Sequence, residues 1–213
     1  MFASSYPTTF KFAQRLGVSV SACLLVLTAS AGSAVAAPSA APTAACSSGP
    51  TSTPFARFGD NADYTLVQGG SFESGVDGWS LTNSMIVAGN ESYEVDGGSQ
   101  SLAIQPDGLA VSPAICVSTA DPTFRFFARR TSGSWGVLNV SLRWTDFSGV
   151  SHTTTVASLQ SGSAWAPTPI LQLAGALPLW RPGAALSVKL VFSPEQYGGA
   201  WEIDDVYIDP RMS

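Results

Sequence analysis

Along residues 137–145 every second side chain is apolar: Leu138, Val140, Leu142 and Trp144 alternate with Asn139, Ser141, Arg143 and Thr145. Successive side chains of an extended chain point to opposite faces. A period of two therefore makes this run a strand with one buried face and one face open to solvent or a ligand. Asp146-Phe147-Ser148-Gly149 turns the chain, and residues 151–159 return as a hairpin partner. The same period recurs in Leu186, Val188, Leu190 and Phe192, and in Phe124, Phe126 and Ala128. Turn signals divide the chain roughly every 8 to 15 residues, and no segment carries the period of an amphipathic helix. That combination specifies an all-β chain, an antiparallel β-sandwich or barrel.

The remaining segments fit the same reading. Residues 64–67, 85–88, 92–95 and 101–104 are strand candidates separated by glycine turns, and Asp107-Gly108 marks a further turn before 109–117, where Pro113 demands an edge or a bulge. Residues 165–173 form a ragged strand, and 174–180 a loop or one helical turn. Trp79, planted after Gly75-Val76-Asp77-Gly78, is expected to plug the core. In 123–130, Phe124, Phe126 and Ala128 form the core face, while Arg125, Phe127 and Arg129 form a candidate binding face. An aromatic ring flanked by two guanidiniums is more polar than a buried layer allows.

The closing stretch, 201–210, breaks its own alternation. Trp201 and Ile203 share one face, and Val206 and Ile208 fall on the opposite phase. A bulge at Asp204-Asp205 returns all four to one core. Two adjacent carboxylates at that irregularity have two readings: one solvated and the other accepting backbone hydrogen bonds, or oxygen ligands of a structural calcium ion.

Three pieces, Gly69-Gly70-Ser71-Phe72-Glu73, Gly78-Trp79 and Trp201-Glu202-Ile203-Asp204-Asp205-Val206, resemble the first and last strands of jelly-roll carbohydrate-binding modules. Residues 62–210 as a whole are also similar to a group of secreted bacterial proteins of unassigned activity. The resemblance implies a jelly-roll β-sandwich over 55–213. It also implies that Glu73 and Asp204 or Asp205 share a structural Ca2+ between the two terminal strands.

The chain begins with the pattern of an export signal, 1–36: Lys11 and Arg15, an apolar run over 16–31, and Ala34-Val35-Ala36 as a cleavage site. Serines and threonines interrupt the run, so no stable membrane insertion is expected after cleavage. Losing Lys11 and Arg15 takes the formal charge from −5 to −7, and Lys189 remains as the sole lysine. Nucleic acid is thereby excluded, since phosphate binding needs a clustered basic surface. Residues 37–54, rich in Ala, Pro, Ser and Thr, form a flexible lead-in. Cys46 and Cys116 are the two cysteines left, and in an exported chain they are expected to pair as a disulfide.

Catalysis has little to work with. His152 is the single histidine, so triads and zinc sites are hard to assemble. The carboxylates Glu73, Glu91, Glu94, Asp96, Asp146, Glu195, Glu202 and Asp204 show no spacing that picks out a hydrolytic pair. A binding module needs only aromatic planes and hydroxyl partners. Trp135 and Trp165 sit in small-residue loops, and Tyr93 and Tyr197 are weaker candidates of the same kind. The expected function is non-catalytic recognition of a polysaccharide or cell-envelope glycan outside the cell. An adhesive surface protein is the alternative and a glycoside hydrolase the third reading.

Overall fold

The computed structural model describes residues 49–160, 162–179 and 183–209, all belonging to the unit that spans 42–213. The strands are β1 Thr51–Ser52, β2 Tyr64–Leu66, β3 Ser80–Ala88, β4 Gln100–Val111, β5 Ile115–Ser118, β6 Thr123–Arg130, β7 Leu138–Thr145, β8 Ser151–Leu159, β9 Ala166–Pro167, β10 Leu171–Gln172, β11 Ala185–Pro194 and β12 Trp201–Asp209. Short 3₁₀ turns occur at Ala56–Phe58 and Ala174–Ala176. Every ladder is antiparallel.

One layer centres on β12, flanked by β6 on one edge and by β2 and β4 on the other. The second runs β4-β11-β7-β8. The long strand β4 serves both, pairing with β12 through Leu102–Ile104 and with β11 through Ala110 and Val111. Between those stretches the β3–β4 register slips, where Asn83 (φ 47) and Asp107 (φ 61) take left-handed conformations. The turn expected at Asp107-Gly108 is therefore a bulge inside one bent strand.

The core fills the space between the layers along the alternating rows. Leu138, Val140 and Leu142 of β7, Leu186, Val188, Leu190 and Phe192 of β11, and Phe124, Phe126 and Ala128 of β6 are all buried. Each large side chain so buried contributes about 1.5–3 kcal/mol. Trp79 plugs this core, stacked 5.9 Å from Phe192 and edge-on 5.0 Å from Phe72. The β6–β12 register shifts between Asp204 and Tyr207. The bulge puts Trp201, Ile203, Val206 and Ile208 in one cluster, as the broken alternation requires.

The outer face of β6 overturns the expectation of a binding surface. Phe127 is fully buried and Arg125 is 8% exposed, because Phe55, Tyr64, Trp165 and Tyr207 close over them as a second apolar cluster. Phe55 stacks 5.4 Å from Phe127, and Arg125 lies over the Phe55 ring at 4.4 Å while pairing with Asp60 at 2.7 Å. A guanidinium that stacks on a ring and holds a carboxylate can be buried, which polarity alone does not foretell. The covering segment starts inside the expected lead-in: Thr51 and Ser52 pair with Thr65 and Tyr64, so order begins before residue 55.

Residues 92–95 form a turn rather than a strand. Glu91 explains it, accepting the backbone N–H groups of Tyr93 and Val95 on its two oxygens. The expected export signal, most of the lead-in and Cys46 lie outside the described residues. Among the described residues no helix is long and apolar enough to cross a membrane.

Candidate functional site

At one end of the sandwich the loop leaving β6 lies against the loop that joins β11 to β12. Thr131 N donates to Ala200 O, Ala200 N to Ser132 Oγ, and Glu195 N to Val137 O, at 2.8, 2.9 and 2.9 Å. Contact this close needs glycine on both sides. A Cβ on Gly136 (φ +108) would sit 2.5 Å from Gly198 Cα, and one on Gly133 (φ +72) 2.9 Å from Gly199 Cα. Backbone packed on backbone fixes two loops whose tips carry large rings. Trp135 is 59% exposed and Tyr197 76% exposed.

Beside Trp135 lies a cleft of about 400 Å3 lined by Arg130, Ser134, Gly136, Gln160 and Gly162. Arg130 continues the core-facing row of Phe124, Phe126 and Ala128, and is paired in register with the buried Trp201. Its side chain thus leaves the inter-sheet space at the mouth of the sandwich. A smaller hollow of about 100 Å3, lined by Leu159, Ala166, Pro167, Thr168 and Pro169, shares Gln160 with the cleft. The two lie on either side of Gln160, at the end of β8 and beside β9. Sequence reasoning missed Arg130 and Gln160. The phase of Arg130, on the apolar side of β6 at its last residue, was the available signal.

Five of the seven residues expected to meet a ligand are engaged by contacts within the fold, three of them buried and Tyr93 and Arg129 half-buried. Trp165 is 6% exposed: Arg129 covers its ring at 4.9 Å and its carbonyl accepts the Tyr93 hydroxyl at 3.2 Å. Its small-residue loop is folded over β6 to let Ala166 and Pro167 pair there, which buries the indole. Arg129 is ion-paired with Glu202 at 2.6 Å. Tyr93 is half-buried, edge-on to Phe58 at 4.9 Å and 5.7 Å from Phe127. Together with Arg125 and Phe127 these leave Trp135 and Tyr197 at the surface.

The second site is the bulge of β12. There the opening glycine motif meets the closing strand, with Val67 N donating to Val206 O at 2.8 Å and Val206 N to Gly70 O at 3.1 Å. Asp204 and Asp205 are both fully buried. Asp204 accepts the backbone N–H of Glu91 at 3.0 Å and that of Asp205 at 2.9 Å. Asp205, left-handed at φ 49, has no hydrogen-bond partner of good geometry on either oxygen. Burial pushes the Asp204 carboxyl up to about 8, with the Asp205 charge adding to the effect. Asp205 rises to about 7 through burial, then through the charges of Asp96 and Glu91, with a backbone hydrogen bond from Asp96 working the other way and the Glu73 charge adding least. Glu73 accepts Ser99 N and Gln100 N at 2.9 and 2.6 Å on one oxygen. Among the described residues no three such side chains stand ready-made as a metal shell.

His152 stacks on Trp144 at 4.3 Å and bonds Asp146 at 2.7 Å beside the β7–β8 turn. The Ser148 hydroxyl donates to that same aspartate, not to the imidazole, so no nucleophile is activated there.

No protein-family model matches the sequence, and no curated protein matches it. The fold is similar to that of the CBM22-1 xylan-binding domain of Paenibacillus barcinonensis Xyn10C, with a TM-score of 0.51 and 16% identity, covering 67% of this chain and 92% of that one. It is a jelly roll. The CBM22-1-CBM22-2 tandem domain of the same protein gives a TM-score of 0.50 at 16% identity, covering 67% of this chain and 44% of that one. Identities this low carry the jelly-roll fold alone. Within it, the segment 67–70 meets the closing strand at the β12 bulge, and the rim beside Trp201, where Arg130 pairs with it, carries the exposed rings.

Proposed function

We propose that this chain is a secreted, non-catalytic glycan-binding module whose ligand docks on the Trp135 and Tyr197 rim. The observation that carries the reading is the pair of exposed rings on loops locked backbone to backbone, one of them, Trp135, lining a concave cleft with polar groups. Indole and phenol faces stack on the C–H faces of sugar rings, while Gln160, Ser134 and Arg130 supply donors and acceptors for hydroxyls. A rigid platform limits the entropy lost on binding. The jelly-roll likeness to a xylan-binding domain supports the choice of ligand class. The buried carboxylates of the bulge offer a substrate no access, which disfavours hydrolysis there.

Ca2+ at the bulge belongs to the same proposal. Asp205 has two buried oxygens with no hydrogen bond of good geometry among the described residues, and the charges of Asp96, Glu91 and Glu73 bear on it. A hard cation that accepts six to eight oxygens, carbonyl and water oxygens among them, would satisfy them. Asp205 and Glu73 would hold it, with Asp204 bracing the backbone of the turn. The ion would supply charge neutralisation that joins the opening motif to β12. Export through the 1–36 signal and a Cys46–Cys116 disulfide complete the reading.

Retention of the protein in native gels containing soluble polysaccharides tests it. Wild type should be retarded by at least one glycan, and Trp135→Ala should lose most of that retardation without a change in melting temperature. The exposed Phe147, 76% accessible at the β7–β8 turn, favours the adhesive alternative, which predicts retention by no glycan.

A further inference from the structure

We propose that the Trp135 cleft is selective for an acidic sugar, taking the carboxylate of a uronic acid within a polysaccharide chain onto Arg130. This rests on the glycan reading of the same cleft and narrows it. The inference comes from where the cations of this acidic chain go. Arg125 is held by Asp60 and Arg129 by Glu202. Arg57 lies over the Tyr93 ring at 5.1 Å and donates to its carbonyl. Arg143 and Lys189 sit side by side in register on the outer face of β7 and β11, in open solvent.

Arg130 differs from all of these. It is half-buried, lines a concave site, and makes no ion pair and no ring contact among the described residues. Acids are not scarce, for the chain carries 15 Asp and Glu against 10 Lys and Arg. Glu195, on the adjoining loop, is exposed and does not line the cleft. A guanidinium presents a planar fork of donors that matches a carboxylate two bonds at a time. The indole of Trp135 stands beside it to take the ring face of the same sugar. Gln160, which lines both the cleft and the smaller hollow beside Pro169, offers its amide to the neighbouring sugar.

The experiment compares each acidic glycan with its own neutral form. Oligogalacturonate and an alginate oligomer are titrated into the full chain beside their methyl esters and beside a xylan oligomer, at low and at moderate salt. An acid should bind at least about tenfold more tightly than its ester, and salt should reduce that preference. Arg130→Gln should bring acid and ester to the same affinity, whereas Trp135→Ala should weaken both. Equal affinity of wild type for acid and ester, binding of xylan alone, or a preference that survives Arg130→Gln overturns the acidic-sugar inference and leaves the glycan reading standing. Binding of none of these ligands overturns both.

Discussion

Asp204 and Asp205 are chemically identical neighbours with different surroundings, and the difference is made by one bulge. Asp204 is bonded by two backbone amides, while neither buried oxygen of Asp205 has a hydrogen bond of good geometry among the described residues. An ion that binds only the folded chain stabilises it in proportion to the logarithm of its free concentration. Calcium at a hundred times its dissociation constant should add about 2.7 kcal/mol, or roughly 5–11 °C in melting temperature. Asp205→Asn should abolish that increment, read by calorimetry with calcium and with chelator. A wild-type melting temperature indifferent to calcium contradicts the metal proposal.

Asp60 makes the complementary case. Burial works to raise its carboxyl, yet the hydrogen bonds from Arg125, Tyr64 and Ala62 outweigh it and hold the group below its ordinary value. A lowered pKa means that the stabilisation is present above the unfolded value, near 4, and is lost as pH falls through the folded one. Asp60→Asn should cost about 2 kcal/mol at neutral pH and should flatten the acid limb of the melting curve. A variant as acid-sensitive as wild type would show that the Arg125 pair is not responsible.

Among the elements, the β6–β7 and β11–β12 loops carry the account, because their geometry rests on glycines that touch. Gly136→Ala places a Cβ 2.5 Å from Gly198 Cα at a φ of +108. It should cost about 1–3 kcal/mol and weaken glycan binding although Trp135 is still present. Binding unchanged in a folded Gly136→Ala protein would mean that the platform is not pre-set by this contact. Most of the strands were legible in the sequence, though 92–95 is a turn and β3 begins at Ser80, before the expected 85–88. The limits of β6 and β8 and the bulge of β12 follow from alternation and its interruption, since period and phase are local properties.

What covers a face is not local. Arg125 and Phe127 read as part of a ligand face because the segment that covers them, Phe55 to Tyr64, lies about 60 or more residues earlier in the chain. Arg129 did so because its partners Glu202 and Trp165 lie 73 and 36 residues later. Trp165 misled for a related reason: small residues around an aromatic describe a supple loop, and where that loop comes to rest is decided by pairing with β6. Phe55→Ala, which uncovers this layer, should cost about 3–5 kcal/mol, measured by chemical denaturation. A loss under about 1 kcal/mol would mean that the outer cluster is not part of the stable body.

At the level of the molecule, two apolar clusters divide the labour. The inner one makes the jelly roll, and the outer one fastens the early chain across β6 and closes that face to ligands. What remains open is the rim, where the core row ends in Arg130 and two rings stand free. The proposed Cys46–Cys116 bond would close a loop of about 70 residues and add about 4 kcal/mol in the chain-entropy model. Peptide mapping without reductant should recover the two cysteines on one linked fragment, and reduction should lower the melting temperature by roughly 10 °C.

The most direct test of glycan recognition at the rim is nuclear magnetic resonance of the tryptophan indole N–H groups during titration with polysaccharide oligomers. The resonance that disappears in Trp135→Phe should move and saturate, while those of the buried Trp79 and Trp165 stay where they are. Spectra that no glycan perturbs, or shifts that spare Trp135 and fall on the buried indoles, would contradict it.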